Sequence, residues 1–204
     1  MRTEVCPPRT TPRCTGRHTG ELAVAGVEFL VSFITTGELH GLRIGSTLDE
    51  VDRAVRHPFV DVVGEEREWL RRDYGLVEFA FNPEPEPEPE QGQGQGQGSE
   101  WGMASASIPL HRLASDDDLA RAWARSMGVE FPRYTSWVEL RDELSRTPGV
   151  PELKNTDQGG FLQYRAVSSN VSVIVVDAED EERGYRVGNG DVWGLDLWAP
   201  FRAS

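Results

Sequence analysis

The sequence predicts an α+β fold of two tandem helix-helix-β-β-β repeats, antiparallel sheets with helices packed on one face. Three observations carry this. GSTLDEVDRAV, from Gly45, lies over YTSWVELRDEL, from Tyr134, at an offset of 89, so that Thr47 falls on Ser136 and Glu50 on Glu139. Each pair spells a capping box, in which a hydroxyl caps the helix and the Glu three positions on reaches back. Behind the caps, Leu48, Val51 and Val55 fall on Trp137, Leu140 and Leu144, both sets at i, i+3, i+7, one face of an amphipathic helix. Farther on, Val77, Phe79 and Phe81 alternate as a strand does, and so do Val171, Val173 and Val175.

The elements follow in chain order. Residues 1–24 read as a disordered tail: the first twenty hold three Pro, four Arg and no apolar periodicity. Cys6, Cys14 and His18 in this tail have no metal-site spacing and read as inert. The apolar stretch from Leu22 to Ile34 begins late and contains Glu28, so it predicts a helix over 27–36 and no secretory signal. Repeat one spans 25–113 and repeat two 114–204. The second begins with a helix over 118–127, with Ser115 and Asp116 at its start and Leu119, Ala122, Trp123 and Met127 as its stripe. LRRDYGLVEFAF (70–81) corresponds to FLQYRAVSSNVSVIVV (161–176), and SEWGMASASIPL (99–110) to GDVWGLDLWAP (190–200). In that last pairing Trp101 falls on Trp193 at an offset of 92, which predicts two equivalent core residues. The low-complexity run PEPEPEPEQGQGQGQG (83–98) is a polyproline-like and then flexible hairpin loop, placed where repeat two has the polar segment 178–190.

Composition narrows function. The 204 residues include 34 acidic and 21 basic ones, a net charge of −13. Residues 1–20 hold four Arg and one Glu, which leaves 17 basic and 33 acidic residues, a net of −16, on the body. That argues against nucleic-acid binding, which needs clustered Lys and Arg. No apolar run is long enough to span a bilayer, so no membrane partner is expected. Of the basic residues only Lys154 is a lysine, the bias of a GC-rich genome such as that of an actinobacterium.

Two tandem helix-helix-sheet units resemble the architecture of beta-lactamase inhibitory protein-like folds and of the outer-membrane-assembly lipoproteins with a helix pair on a sheet. Gly45-Ser46-Thr47-Leu48-Asp49-Glu50-Val51 carries the glycine-then-capped-helix feature of that group. The resemblance implies the layout alone. The inhibitory proteins are secreted and disulfide-bonded, whereas this body has no cysteine, so beta-lactamase inhibition is not carried over. Gly41-Leu42-Arg43-Ile44-Gly45, Asp49-Glu50-Val51 and Arg72-Asp73-Tyr74-Gly75-Leu76-Val77-Glu78 are similar to small acidic actinobacterial immunity-type proteins, which implies binding to a protein partner.

Chemistry-bearing motifs are sparse. His18, His40, His57 and His111 form no i, i+4 metal pair, and no nucleophile elbow, phosphate loop or dinucleotide fingerprint occurs. No catalytic residue, metal or cofactor is expected. Asp116-Asp117-Asp118 suits a helix N-terminus, and the run 177–182 suits a solvated hairpin tip. Three features suit a partner surface. Arg72, Asp73 and Tyr74 mix charge with an aromatic. Asp177, Glu179, Asp180, Glu181 and Glu182 form an acidic run. Trp198 alternates with Leu195 and Leu197 and so points to the other sheet face. The expectation is a non-enzymatic cytoplasmic protein-binding protein, an immunity-type antidote masking a basic effector or toxin. The rivals are a hydrolase with an acidic cleft and a regulatory or structural interaction module.

Overall fold

The computed structural model describes residues 24–83 and 101–199. Of the predicted tail only Val24 falls among them, and of the predicted insert only Pro83; both are strand residues. Cys6, Cys14 and His18 lie outside the described residues.

The described residues form four α-helices, an eight-stranded antiparallel sheet and a two-stranded parallel pair. In chain order the helices are α1 (Gly26–Thr36), α2 (Leu48–Ala54), α3 (Asp117–Met127) and α4 (Trp137–Arg146). The strands of the first half are β1 (Val24–Ala25), β2 (Val60–Val63), β3 (Leu70–Asp73), β4 (Glu78–Pro83) and β5 (Trp101–Ile108). Those of the second are β6 (Val129–Glu130), β7 (Leu153–Asp157), β8 (Phe161–Ala166), β9 (Val171–Val176) and β10 (Val192–Trp198). The sheet order is β2-β3-β4-β5-β10-β9-β8-β7, while β1 and β6 form a separate parallel pair. Each half therefore gives four strands to the sheet, where the sequence predicts three. The extra strands, β2 and β7, are its two edges. Their residues are almost all exposed, so they show no buried alternation to read.

Local chemistry explains four of the eight α-helix ends. Thr47 Oγ1 accepts from the Glu50 N–H at 3.3 Å, and Glu50 Oε2 accepts from the Thr47 N–H at 2.8 Å, the predicted capping box. The Asp116 carboxylate caps α3 by accepting from the N–H groups of Asp118 and Leu119, both at 3.0 Å. Gly37 and Gly128 end α1 and α3 in the left-handed conformation, at φ 70° and 66°, where a Cβ would be strained. The box predicted at Ser136 is not formed. The Trp137 N–H, the first of the helix, donates to the Gly190 carbonyl at 3.0 Å, a backbone group brought from 53 residues away.

Buried residues of the helices and of alternate strand positions join in one main core, including Leu30, Phe33, Ile34, Phe79, Phe81, Trp123, Leu140, Val173 and Leu195. Trp101 belongs to it and Trp193 does not, contrary to their predicted equivalence. The reason is register. The β4–β5 pairing jumps from Ala80↔Ser105 to Phe81↔Met103, leaving Ala104 as an extra residue, and the β9–β10 pairing jumps from Ile174↔Gly194 to Val175↔Val192, leaving Trp193. The bridges Thr47↔Gly102 and Ser136↔Asp191 differ by the same 89 residues as these two bulges. At that offset Trp193 lies over Ala104, not Trp101, and its indole is turned to the far face of the sheet.

Pro83 pairs directly with Trp101 across β4 and β5, so residues 84–100 connect adjacent strand ends. Replacing 84–98 by a short Gly/Asn turn is expected to leave the melting temperature unchanged or slightly raised, because loop closure costs only about 0.6 kcal/mol per doubling of length. A loss of several degrees in a thermal melt would contradict this.

Burial pushes His40, His57 and His111 each below the ordinary 6.5. His57 Nδ1 lies 2.9 Å from the Ser126 hydroxyl, and its ring lies 5.5 Å from that of Trp123. A histidine whose folded pKa is depressed contributes stability that is complete above its unfolded pKa and is lost as pH falls through the folded one. Melting temperature is therefore expected to hold at neutral pH and to fall from about pH 6.5 downwards. In an Asp196→Asn variant, which lacks the opposite contribution of a carboxyl whose pKa is raised, a flat profile between about pH 7 and 5 would contradict it.

Candidate functional site on the open sheet face

Period-two alternation divides β10 between two faces. Val192, Leu195 and Leu197 enter the core, while Trp193, Asp196 and Trp198 face the other way. Cross-strand register assembles their neighbours. Trp198 pairs with Ser105, which pairs with Ala80, which pairs with Arg71. One row along, Asp196 pairs with Ser107, which pairs with Glu78. The small residues Ala80, Ser105 and Ser107 leave a depression of about 190 Å³ between Trp198 and Asp196 on one side and Glu78 and Arg71 on the other.

The charges there are unequally satisfied. Arg112 reaches across from the turn Leu110–Ala114 to bind Glu78, donating also to Asp73 at 3.1 Å and to the Gly75 carbonyl at 2.6 Å. Arg71 stands 4.0 Å from Glu78. Asp196 has no hydrogen-bond or ion-pair partner among the described residues. Burial pushes its carboxyl pKa up, and the charge on Glu78 adds to the rise. Trp198 is 60% exposed.

A larger cavity, about 680 Å³, lies at the opposite end of β10, between the sheet and the connection 177–191. Phe161, Val176, Val187 and Trp193 wall it. The Trp193 ring stacks on His111, centroids 4.0 Å apart and planes at 14°. Because His111 Nδ1 lies 3.2 Å from the Trp193 carbonyl, which only accepts, the proton sits on Nδ1 and Nε2 is left as an acceptor. Asp191, fully buried, holds the connection in place. Its carboxylate accepts from Arg183 Nε at 2.9 Å, from Arg183 Nη2 at 2.5 Å and from the Gly188 N–H at 2.9 Å.

Of the residues expected at a partner surface, Arg72 and Tyr74 are corrected by their burial. Arg72 donates through Nε and Nη2 to the two Asp61 oxygens at 2.7 and 2.8 Å and through Nη1 to Asp52, and its guanidinium lies 3.9 Å from the centre of the Phe59 ring. It ties β3 to the edge strand and to α2. Tyr74 is 1% exposed and packs against Phe59 and Phe79. Asp73 is held by Arg112 and by the Gly75 N–H at 2.7 Å. The signal was present in the sequence: Arg72 is two residues after the core residue Leu70 and so shares its face. Asp177, Glu179, Asp180, Glu181 and Glu182 are exposed on the β9–β10 connection, with Glu181 on the rim of the larger cavity. They stand at the start of β10 and Trp198 at its end, about 20 Å along the strand, so the structure does not bring them together. Asp196, Glu78, Ser105 and Ser107 were missed, although Asp196 shares period-two phase with Trp198.

Among the described residues no three His, Cys, Asp or Glu side chains are placed to hold a metal ion, and no helix is long and apolar enough to cross a membrane. Fold and site define a class: an α+β protein with an eight-stranded antiparallel sheet whose far face carries the exposed Trp198 at one end of β10. Comparison with family models, with curated proteins and with solved structures gives no match.

Proposed function

We propose that this is a protein-binding protein, an immunity-type antidote that masks a basic effector or toxin through its open sheet face. The observation that carries the reading is Trp198, a large apolar side chain presented to solvent from a central strand of the sheet, beside Asp196, which is unpaired among the described residues. Exposed aromatics of this kind are the usual anchors of protein interfaces. The net charge of −13 and the exposed run 177–182 supply a long-range field suited to a basic partner. The hydrolase reading needs two working carboxylates in one cleft. Glu78 is already engaged by Arg112 and Arg71, which leaves Asp196 as the one unengaged carboxylate of the depression among the described residues and favours binding over catalysis.

The same reading treats the two halves as copies of one helix-helix-sheet unit. The shared 89-residue offset of caps, bridges and bulges supports this.

Capture from the native host followed by stopped-flow titration tests the function. The on-rate is expected to fall by about tenfold or more as salt rises past ~0.1 M, where the Debye length nears 10 Å, while the off-rate changes little. Charge reversal in the 177–182 run should slow association, and Trp198→Ala should speed dissociation. Failure to capture any protein, or an on-rate indifferent to salt, would sink the reading.

A further inference from the structure

We propose that the depression bounded by Trp198 and Asp196 is a receptor for an arginine side chain of the partner, a proposal that rests on the protein-binding reading above. Its chemistry is acceptor-rich and planar. The Asp196 carboxylate has no partner among the described residues, and the Ser105 and Ser107 hydroxyls of the floor make no side-chain hydrogen bonds there. Trp198 adds an exposed indole. A guanidinium fits this set better than an ammonium. It carries five N–H donors in a rigid fork that matches a carboxylate, and its flat face stacks on an aromatic ring. The chain already uses this arrangement internally: Arg72 lies over the Phe59 ring and forks onto Asp61. Trp198 and Asp196 repeat the aromatic-plus-carboxylate half of it on the surface. On the opposite wall, Arg71 stands 4.0 Å from Glu78, whose carboxylate offsets its charge.

The charge on Asp196 is kept against its surroundings. Its folded pKa is raised, so the ionised group lowers stability at neutral pH, and the penalty is relieved as pH falls towards the ordinary carboxylate range. Asp196→Asn is therefore expected to raise the melting temperature while removing arginine binding. A purely structural aspartate would not combine these two effects.

The test is an NMR titration of the full chain with N-acetyl-arginine methylamide, its lysine counterpart and its citrulline counterpart, which keeps the shape of arginine without the charge. Saturable shifts are expected at the Trp198 indole N–H and at the amides of 196–198. Binding should weaken severalfold with lysine, vanish with citrulline, and drop by about tenfold in Asp196→Asn and in Trp198→Ala. Equal shifts with citrulline, or unchanged arginine binding in Asp196→Asn, would overturn the proposal. The two readings fail separately. A captured partner whose affinity ignores Asp196→Asn removes the arginine receptor and leaves the binding reading. Arginine binding with no captured partner does the reverse.

Discussion

Trp123→Ala is expected to cost about 3–5 kcal/mol, the range for emptying a fully buried tryptophan site. In a domain of this size that is a fall of roughly 6–20 °C in melting temperature. Trp123 is 0% exposed, and no larger side chain is as completely enclosed. It stands on α3, locks against the His57 ring, and donates from Nε1 to the Tyr74 carbonyl at 3.2 Å. Truncation would open a cavity and also leave that buried carbonyl without its donor, which adds to the transfer loss. Trp198→Ala is the control. Its indole is mostly in water, so its loss should change stability little while changing dissociation from a partner. Urea unfolding of both variants decides the matter: similar losses in the two would contradict the division of the sheet into a core face and an open face.

Arg183→Ala is expected to be the second most damaging single change, at about 3 kcal/mol, the low end for stripping one partner from a buried ion pair. Asp191 is fully buried and Arg183 only half so, hence the low end. Removing the guanidinium leaves a carboxylate in the interior with one remaining hydrogen bond, from the Gly188 N–H. The connection over 177–190 should loosen, and trypsin should cut after Arg186 faster. The effect has a specific rescue. Asp191→Asn in the Arg183→Ala background removes the stranded charge and should recover part of the loss, a coupling that a double-mutant cycle measures. If the double variant is no better than Arg183→Ala alone, charge burial is not the cause.

Features legible in the sequence are those set by neighbours along the chain. The Thr47–Glu50 box and the Asp116 cap need only groups within three residues of each other. The helix stripes and the alternation of Phe79 and Phe81, or of Val173 and Val175, are geometry of period 3.6 and period 2. The exposure of Trp198 follows from the same alternation. Tertiary structure decided whatever depends on a distant group or on a count of pairs. Ser136 looks like Thr47 in sequence, but in the fold it makes no side-chain cap, and the Gly190 carbonyl takes the N–H of Trp137 at the start of its helix. Arg72 looks like a surface charge until Asp52 and Asp61, 20 and 11 residues away, enclose it. The edge strands β2 and β7 pair on one side only and bury almost nothing, so no pattern announces them. The extra residues of β5 and β10 keep the 89-residue offset, at which Trp193 lies over Ala104 and not Trp101 and stands on the cavity wall. Asp196 has its phase written in the sequence, but its lack of a partner among the described residues arises only when the strands align and Arg112 commits to Glu78. Hydrogen-bond partners and register are properties of the assembled sheet, because a one-residue slip exchanges its faces.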